Sequence, residues 1–181
     1  MAASLMMASL QASLRILVAE SQSPAEVVQR LNSLFIHNIH LTQFVTLFLA
    51  RYDHATRTLQ YCNAGHNPPL LYRPLADGTY QSAWLQPTGA AIGLVEDFAF
   101  GEGVVTLQPG DILLLYTDGV TEARNRQGTE FRTQGLCDFM QQYAHLPVTD
   151  LVRELRRTLQ EFAGGQPLAD DTTIVAGKLM T

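Results

Sequence analysis

The sequence predicts an α+β fold in which helices lie outside layered antiparallel sheets. Three observations predict it. Apolar residues recur at helical steps near both ends of the chain, at Met6, Leu10, Leu14 and Leu17 and again at Leu151, Leu155 and Leu159. The stretch between Phe44 and Tyr116 is dense in β-formers and is broken by turn residues at short intervals. Helices and strands come in blocks and do not alternate, which argues against a doubly wound parallel sheet.

Residues 2–20 form the first predicted helix, since the four apolar positions fall on one stripe. Ser21-Gln22-Ser23-Pro24 breaks it. The second helix runs over 24–38. Ser23 is placed to cap it, Pro24 suits its first turn and Glu26 completes a capping box. Val27, Val28, Leu31, Leu34 and Phe35 give its buried face. Strands follow. Phe44 to Tyr52 and Leu59 to Ala64 flank an Asp53-His54-Ala55-Thr56 turn. Leu70 to Arg73 and Tyr80 to Leu85 flank Asp77-Gly78, a hairpin signal. Val104 to Leu107 runs into the turn Gln108-Pro109-Gly110-Asp111. Ile112 to Tyr116 is so apolar that it reads as deeply buried. Two helices come next, one lined by Phe131, Leu136, Phe139, Met140 and Tyr143, the other opening at Pro147 and ending at Gly164-Gly165 as an αL cap would. Thr173 to Leu179 is the last strand.

The 181 residues suit one packed domain. With 46% hydrophobic and 16% charged residues the composition is that of a globular chain. A net charge of −5 argues against nucleic acid as a partner. Cys62 and Cys137 share no metal or redox spacing, so a reduced, cytoplasmic chain is the simplest reading. The apolar N-terminus is not read as a signal peptide. No positive charge precedes it, Ser4, Ser9, Gln11 and Ser13 interrupt it, and Arg15 sits within it. No run reaches the roughly 18–20 apolar residues that span a bilayer.

The chemistry is expected where strands end on acids. The strand Ile112 to Tyr116 runs into Thr117-Asp118-Gly119-Val120, and Asp170-Asp171 sits just before Thr172-Thr173-Ile174. If these two strands pair antiparallel, the exit of one and the entry of the other meet at one sheet edge. Clustered carboxylates repel each other unless a hard cation neutralises them. Mg²⁺ and Mn²⁺ favour such oxygens, and two such ions can share a water, lower its pKa and aim it at a phosphorus. Asp-Gly is also a common turn, which is the plain alternative for Asp118.

Asn63-Ala64-Gly65-His66-Asn67-Pro68-Pro69 is a second candidate. His66 could act as a general acid or, with Asn63, touch a phosphate; a histidine satisfied in a tight turn is the plainer reading. His37 and His40 stand one helical turn apart with no third ligand near, so a solvated helix end is favoured over a metal pair. Thr88-Gly89-Ala90-Ala91-Ile92-Gly93 lacks the Lys-Ser/Thr ending of a phosphate loop.

The runs Met1–Leu10, Phe44-Val45-Thr46-Leu47-Phe48, Asn63-Ala64-Gly65-His66, Tyr116-Thr117-Asp118-Gly119-Val120-Thr121-Glu122-Ala123 and Asp170-Asp171-Thr172-Thr173 occur in an order that resembles the bacterial PP2C-like serine/threonine phosphatases of the SpoIIE/RsbU-like branch. The resemblance covers essentially the whole chain. It implies an α-β-β-α sandwich and a two-metal Mn²⁺ or Mg²⁺ centre. Asp118 and Asp170 become metal ligands, with Gly119 and Asp171 beside them in the site. It implies a phosphoserine or phosphothreonine substrate on a regulatory protein, a STAS-type anti-sigma-factor antagonist. It also implies that helices 2–20 and 24–38 receive a signal from an upstream sensor domain or partner.

Two departures from the family pattern stand out. Its first metal motif, Asp-x-Ser-Gly-Lys/His-Gly, falls immediately ahead of Met1, and with it the bridging aspartate and its strands. The expectation is therefore a partial domain that is weakly active or inactive in isolation, with an uncovered sheet edge that invites homodimerisation. Ala91 replaces the usual proline of a Gly-x-Pro-Leu-Gly turn. The competing reading is a degenerate phosphatase acting as a non-catalytic, partner-binding module. A haloacid-dehalogenase-type phosphatase wants a second acid two residues after Asp118, where this chain has Val120.

Overall fold

The computed structural model describes residues 3–21, 23–36, 44–167 and 170–180, with side chains from Met6 onward. They form two compact units. The first holds Met1–His66 and Gln86–Leu107, the second Asn67–Leu85 and Gln108–Thr181.

In the first unit, α1 (Ala3–Glu20) and α2 (Pro24–Phe35) accompany a three-stranded antiparallel sheet of order β1-β2-β5, formed by β1 (Leu47–Asp53), β2 (Thr58–Ala64) and β5 (Gly103–Thr106). Leu10 and Leu17 of α1 and Val27, Val28, Leu31 and Phe35 of α2 are buried in one core with Cys62, Ala64 and Ile92. Ser23 caps α2, its hydroxyl accepting from the Glu26 N–H at 3.1 Å. The expected capping box closes through Ser21, two residues before the cap. The Ser21 hydroxyl donates a hydrogen bond to the Glu26 carboxylate, and Ser21 Oγ in turn accepts from the Ser23 N–H.

Leu34 departs from the expected buried face. It is half exposed, and Asn32 is buried in its place. A buried amide is tolerated only when its donors and acceptor are paired. Here Asn32 Nδ2 donates to the Val95 carbonyl at 2.9 Å and Oδ1 accepts from the Gly93 N–H at 2.8 Å, which ties the 93–95 loop to α2. Those partners come from a distant segment, so apolar periodicity could not reveal them. Residues 37–43 lie outside the described residues, as do His37, His40 and the expected end of the second helix.

In the second unit a four-stranded antiparallel sheet has the order β4-β3-β6-β7, with β3 (Leu70–Pro74), β4 (Tyr80–Trp84), β6 (Ile112–Tyr116) and β7 (Ile174–Lys178). A single helical turn, α3 (Asp118–Thr121), precedes α4 (Arg132–Tyr143) and α5 (Val148–Phe162). Leu151, Leu155 and Leu159 of α5 and Leu136 and Met140 of α4 are fully buried in one core with Leu70, Ile112 and Leu114. Each such leucine contributes about 1.5–3 kcal/mol of transfer free energy. Gly164 and Gly165 take positive φ (66° and 77°) and end α5 as expected. Strand β6 is not buried throughout. Ile112, Leu114 and Tyr116 are buried, while Leu113 and Leu115 are half-buried. The strand's period of two puts only the first three on the face that joins the α4–α5 core.

Tyr116 gives this core a pH dependence. Burial pushes its hydroxyl up from 10.0 to about 12, with the nearby Cys137 thiol adding to the rise. A folded-state value above the unfolded one stabilises fully below pH 10, and the gain is lost as pH climbs through 12. That rise corresponds to about 2–3 kcal/mol. Urea unfolding of wild type should therefore weaken between pH 10 and 12 more than that of Tyr116→Phe. Parallel curves for the two would show that the hydroxyl is not held neutral by burial.

Candidate metal centre

Strands β6 and β7 pair antiparallel, with Tyr116 opposite Ile174. The chain leaves β6 and enters β7 at the same end of the sheet, as expected. Asp118 follows β6 by two residues, and Asp170-Asp171-Thr172-Thr173 leads into β7. Thr117 fastens the two segments. Its N–H donates to the Thr173 carbonyl at 3.2 Å, its hydroxyl donates to the Asp171 carbonyl at 3.2 Å, and Thr117 Oγ1 accepts from the Thr173 N–H at 3.0 Å. Such a bond set depends on tertiary contact, and nothing local in the sequence announces it.

Gly119 lets the segments meet. A methyl group added there would come within 2.6 Å of the Asp171 carbonyl oxygen and 3.2 Å of Thr172 Oγ1. The neighbour is backbone, which cannot swing aside. Gly119→Ala should therefore push the two acidic segments apart. The expected result is a loss of Mn²⁺ affinity of at least roughly tenfold, the scale of a disturbed supporting shell, measured by calorimetry. Unchanged affinity would mean that this close approach does not matter to the site.

Asp118, Asp170 and Asp171 are all exposed. Asp118 Oδ1 accepts from the Gly119 N–H at 3.0 Å, and Asp170 Oδ1 from the Asp171 N–H at 2.7 Å. Each of these two carboxylates keeps a second oxygen outside those bonds. Hard carboxylate oxygens at neighbouring segments fit Mg²⁺ or Mn²⁺, which commonly take one or two carboxylates and complete their shell with water. Among the described residues no group of three or more His, Cys, Asp or Glu side chains is gathered for a metal. The donor set thus fits in kind and would supply part of a coordination shell.

Asn63 and His66 belong to the first unit and the four residues above to the second. Asn63 is fully buried, and its Oδ1 accepts from the His66 N–H at 2.8 Å. Its own N–H donates to Thr88 Oγ1, and its carbonyl accepts from the Thr88 and Gly89 N–H groups. Gly65 between them takes a φ of 68°. His66 Nδ1 lies 3.2 Å from Thr46 Oγ1. These bonds build a tight turn around Gly65.

A buried ion pair supports the start of β6. Asp111 Oδ1 and Oδ2 accept from Arg73 Nε and Nη2 at 2.9 and 2.7 Å, and Oδ2 also accepts from the Gln108 N–H at 2.8 Å. The pairing raises the Arg73 pKa above its ordinary value. Asp111 opens the most apolar strand of the chain, yet nothing in the sequence names Arg73 as its partner.

The model of the family described as Stage II sporulation protein E (SpoIIE) matches residues 1–179. The chain belongs to the SpoIIE family. Within that family it is 28% identical to phosphoserine phosphatase RsbU of Bacillus subtilis (strain 168) over 152 residues, which are 84% of this chain and 44% of that protein. The chain spans less than half the length of the curated relatives it matches. Among solved structures, the SiaA-PP2C domain of Pseudomonas aeruginosa superposes with a TM-score of 0.78 at 22% identity, over 97% of this chain and 68% of that one. RsbX, solved in complex with magnesium, gives 0.62 at 17% identity, over 94% and 73%. The SpoIIE-family chain therefore has the PP2C fold, with mixed helices and antiparallel sheets. No described helix is long and apolar enough to cross a membrane.

Proposed function

We propose that this chain is the catalytic region of a metal-dependent protein serine/threonine phosphatase. The observation that carries the reading is the meeting of the Asp118-Gly119 turn with the Asp171-Thr172 backbone at one end of the β6–β7 pair. Family membership and the phosphoserine phosphatase to which the chain is similar point the same way. Asp118 and Asp170 would hold Mn²⁺ or Mg²⁺, with Asp171 and Gly119 shaping the segment. When bound, the cation would offset phosphoryl charge and lower the pKa of water near neutrality. The chain's own part is to bring the two acidic segments together, through Thr117 and Gly119. The substrate in this reading is phosphoserine or phosphothreonine on a STAS-type regulatory protein. Signals from a sensor domain or partner would enter through α1 and α2.

Fusing the Asp-x-Ser-Gly-Lys-Gly segment ahead of Met1 should raise the activity. The test compares phosphate release from a phosphoserine peptide by both forms, with Mn²⁺ and with EDTA. Mn²⁺-dependent release is expected from the extended form, and weaker release from the chain alone. No Mn²⁺-dependent release from either form would sink the phosphatase reading.

A further inference from the structure

We propose that Arg156 is the anion-binding residue of a substrate subsite beside the acidic segment, a role that rests on the phosphatase reading above. Helix α5 carries three arginines on its outer surface, and two are neutralised on the helix itself. Arg153 pairs with Asp150 at 2.8 Å, and Arg157 pairs with Glu154 and Glu161. Such pairs at three or four residues' spacing are how a solvated helix settles its charges. Arg156 has no ion pair or hydrogen bond among the described residues. It lines a pocket of about 320 Å³ together with Gln160, Gln166, Asp170, Asp171 and Thr172, with Leu159 and Pro167 also on its wall.

The chemistry of that wall selects its ligand. A guanidinium, two carboxamides and a hydroxyl present donors to an anion's oxygens, and arginine's planar fork suits phosphoryl and carboxylate groups alike. The two aspartates would repel such an anion, so the subsite accepts it once a divalent cation offsets their charge. The volume is at the lower end of the range for ligand pockets, about 300–1,000 Å³. It suits one phosphorylated or acidic side chain of a larger partner. The ligand is therefore an anionic side chain of the phosphoprotein, either the phosphoryl group itself or a carboxylate flanking it.

The test is fluorescence anisotropy with two labelled peptides in the presence of Mg²⁺. One carries a non-hydrolysable phosphonate analogue of phosphoserine between neutral residues, the other glutamates and no phosphonate. Arg156→Ala should weaken binding of one of them about 10- to 100-fold, the worth of a hydrogen bond to a charged group. The peptide affected identifies the anion. Arg156→Lys should restore part of the loss, and Arg153→Ala should bind as wild type. EDTA should abolish the wild-type binding. The proposal is overturned if Arg156→Ala binds both peptides as wild type does, or if wild type binds neither. A loss confined to Arg156→Ala, in a protein without Mn²⁺-dependent turnover, would keep the subsite and remove the phosphatase reading. Normal turnover with binding untouched by Arg156→Ala would do the reverse.

Discussion

With the Asp-x-Ser-Gly-Lys-Gly segment fused ahead of Met1, Asp118→Asn should lower Mn²⁺-dependent phosphate release by at least about a hundredfold while leaving the fold intact. The magnitude follows from its proposed place as a ligand, since even groups one step removed from a metal cost about 10- to 100-fold when changed. Asparagine keeps the shape and one carbonyl oxygen. It removes the negative charge that a hard cation needs and leaves an acceptor for the Gly119 N–H. Because Asp118 is exposed, the melting temperature in EDTA should barely move. Asp170→Asn should act alike, and the double variant should lose little more than either single one, because the two would serve one centre. Additive losses would mean that the two aspartates act separately.

Asp111→Ala should be the most destabilising single change in the second unit outside its apolar core. The carboxylate is almost wholly buried, at 1% side-chain exposure, and Arg73 is 20% exposed. Removing one member of a buried pair leaves the other charge uncompensated, at a cost of about 3–5 kcal/mol. For a chain of this size that is roughly 6–20 °C in Tm. The Gln108 N–H loses its acceptor as well. Arg73→Met combined with Asp111→Leu should recover part of the loss, since no charge is stranded, but not all of it, since Gln108 still lacks its partner. Calorimetric melting of wild type and the two variants checks this. Equal stability of Asp111→Ala and wild type would make the pair a surface feature in energetic terms.

Much of the fold and of the acidic sheet edge is legible from the chain because the strand ends there are marked chemically. Strand β6 ends on Asp-Gly, strand β7 follows Asp-Asp, and their antiparallel pairing needs only the apolar runs on either side. The helices of the second unit are equally plain, since Leu151, Leu155 and Leu159 keep one stripe. What escaped depends on partners far away in the chain. The Thr117 hydroxyl bonds a segment 54 to 56 residues on. Arg73 and Asp111 are separated by 38 residues, and Asn32 bonds a loop 61 to 63 residues away. Polar side chains of this kind carry no periodicity, so burial of Asn32 in place of Leu34 had no local signal. The single turn α3 is too short for any apolar period to show. The alternation of Leu113 and Leu115 with their buried neighbours is hidden because all five residues of β6 are apolar or aromatic.

The central claim is that Asp118 and Asp170, 52 residues apart in the chain, share one divalent cation. Crystals soaked in manganese test it most directly, because Mn²⁺ scatters anomalously and marks its own position. The account predicts an anomalous peak within about 2.6 Å of carboxylate oxygens from both residues, lost in crystals of Asp118→Asn. A peak held elsewhere, with the two carboxylates turned apart at saturating manganese, would contradict it.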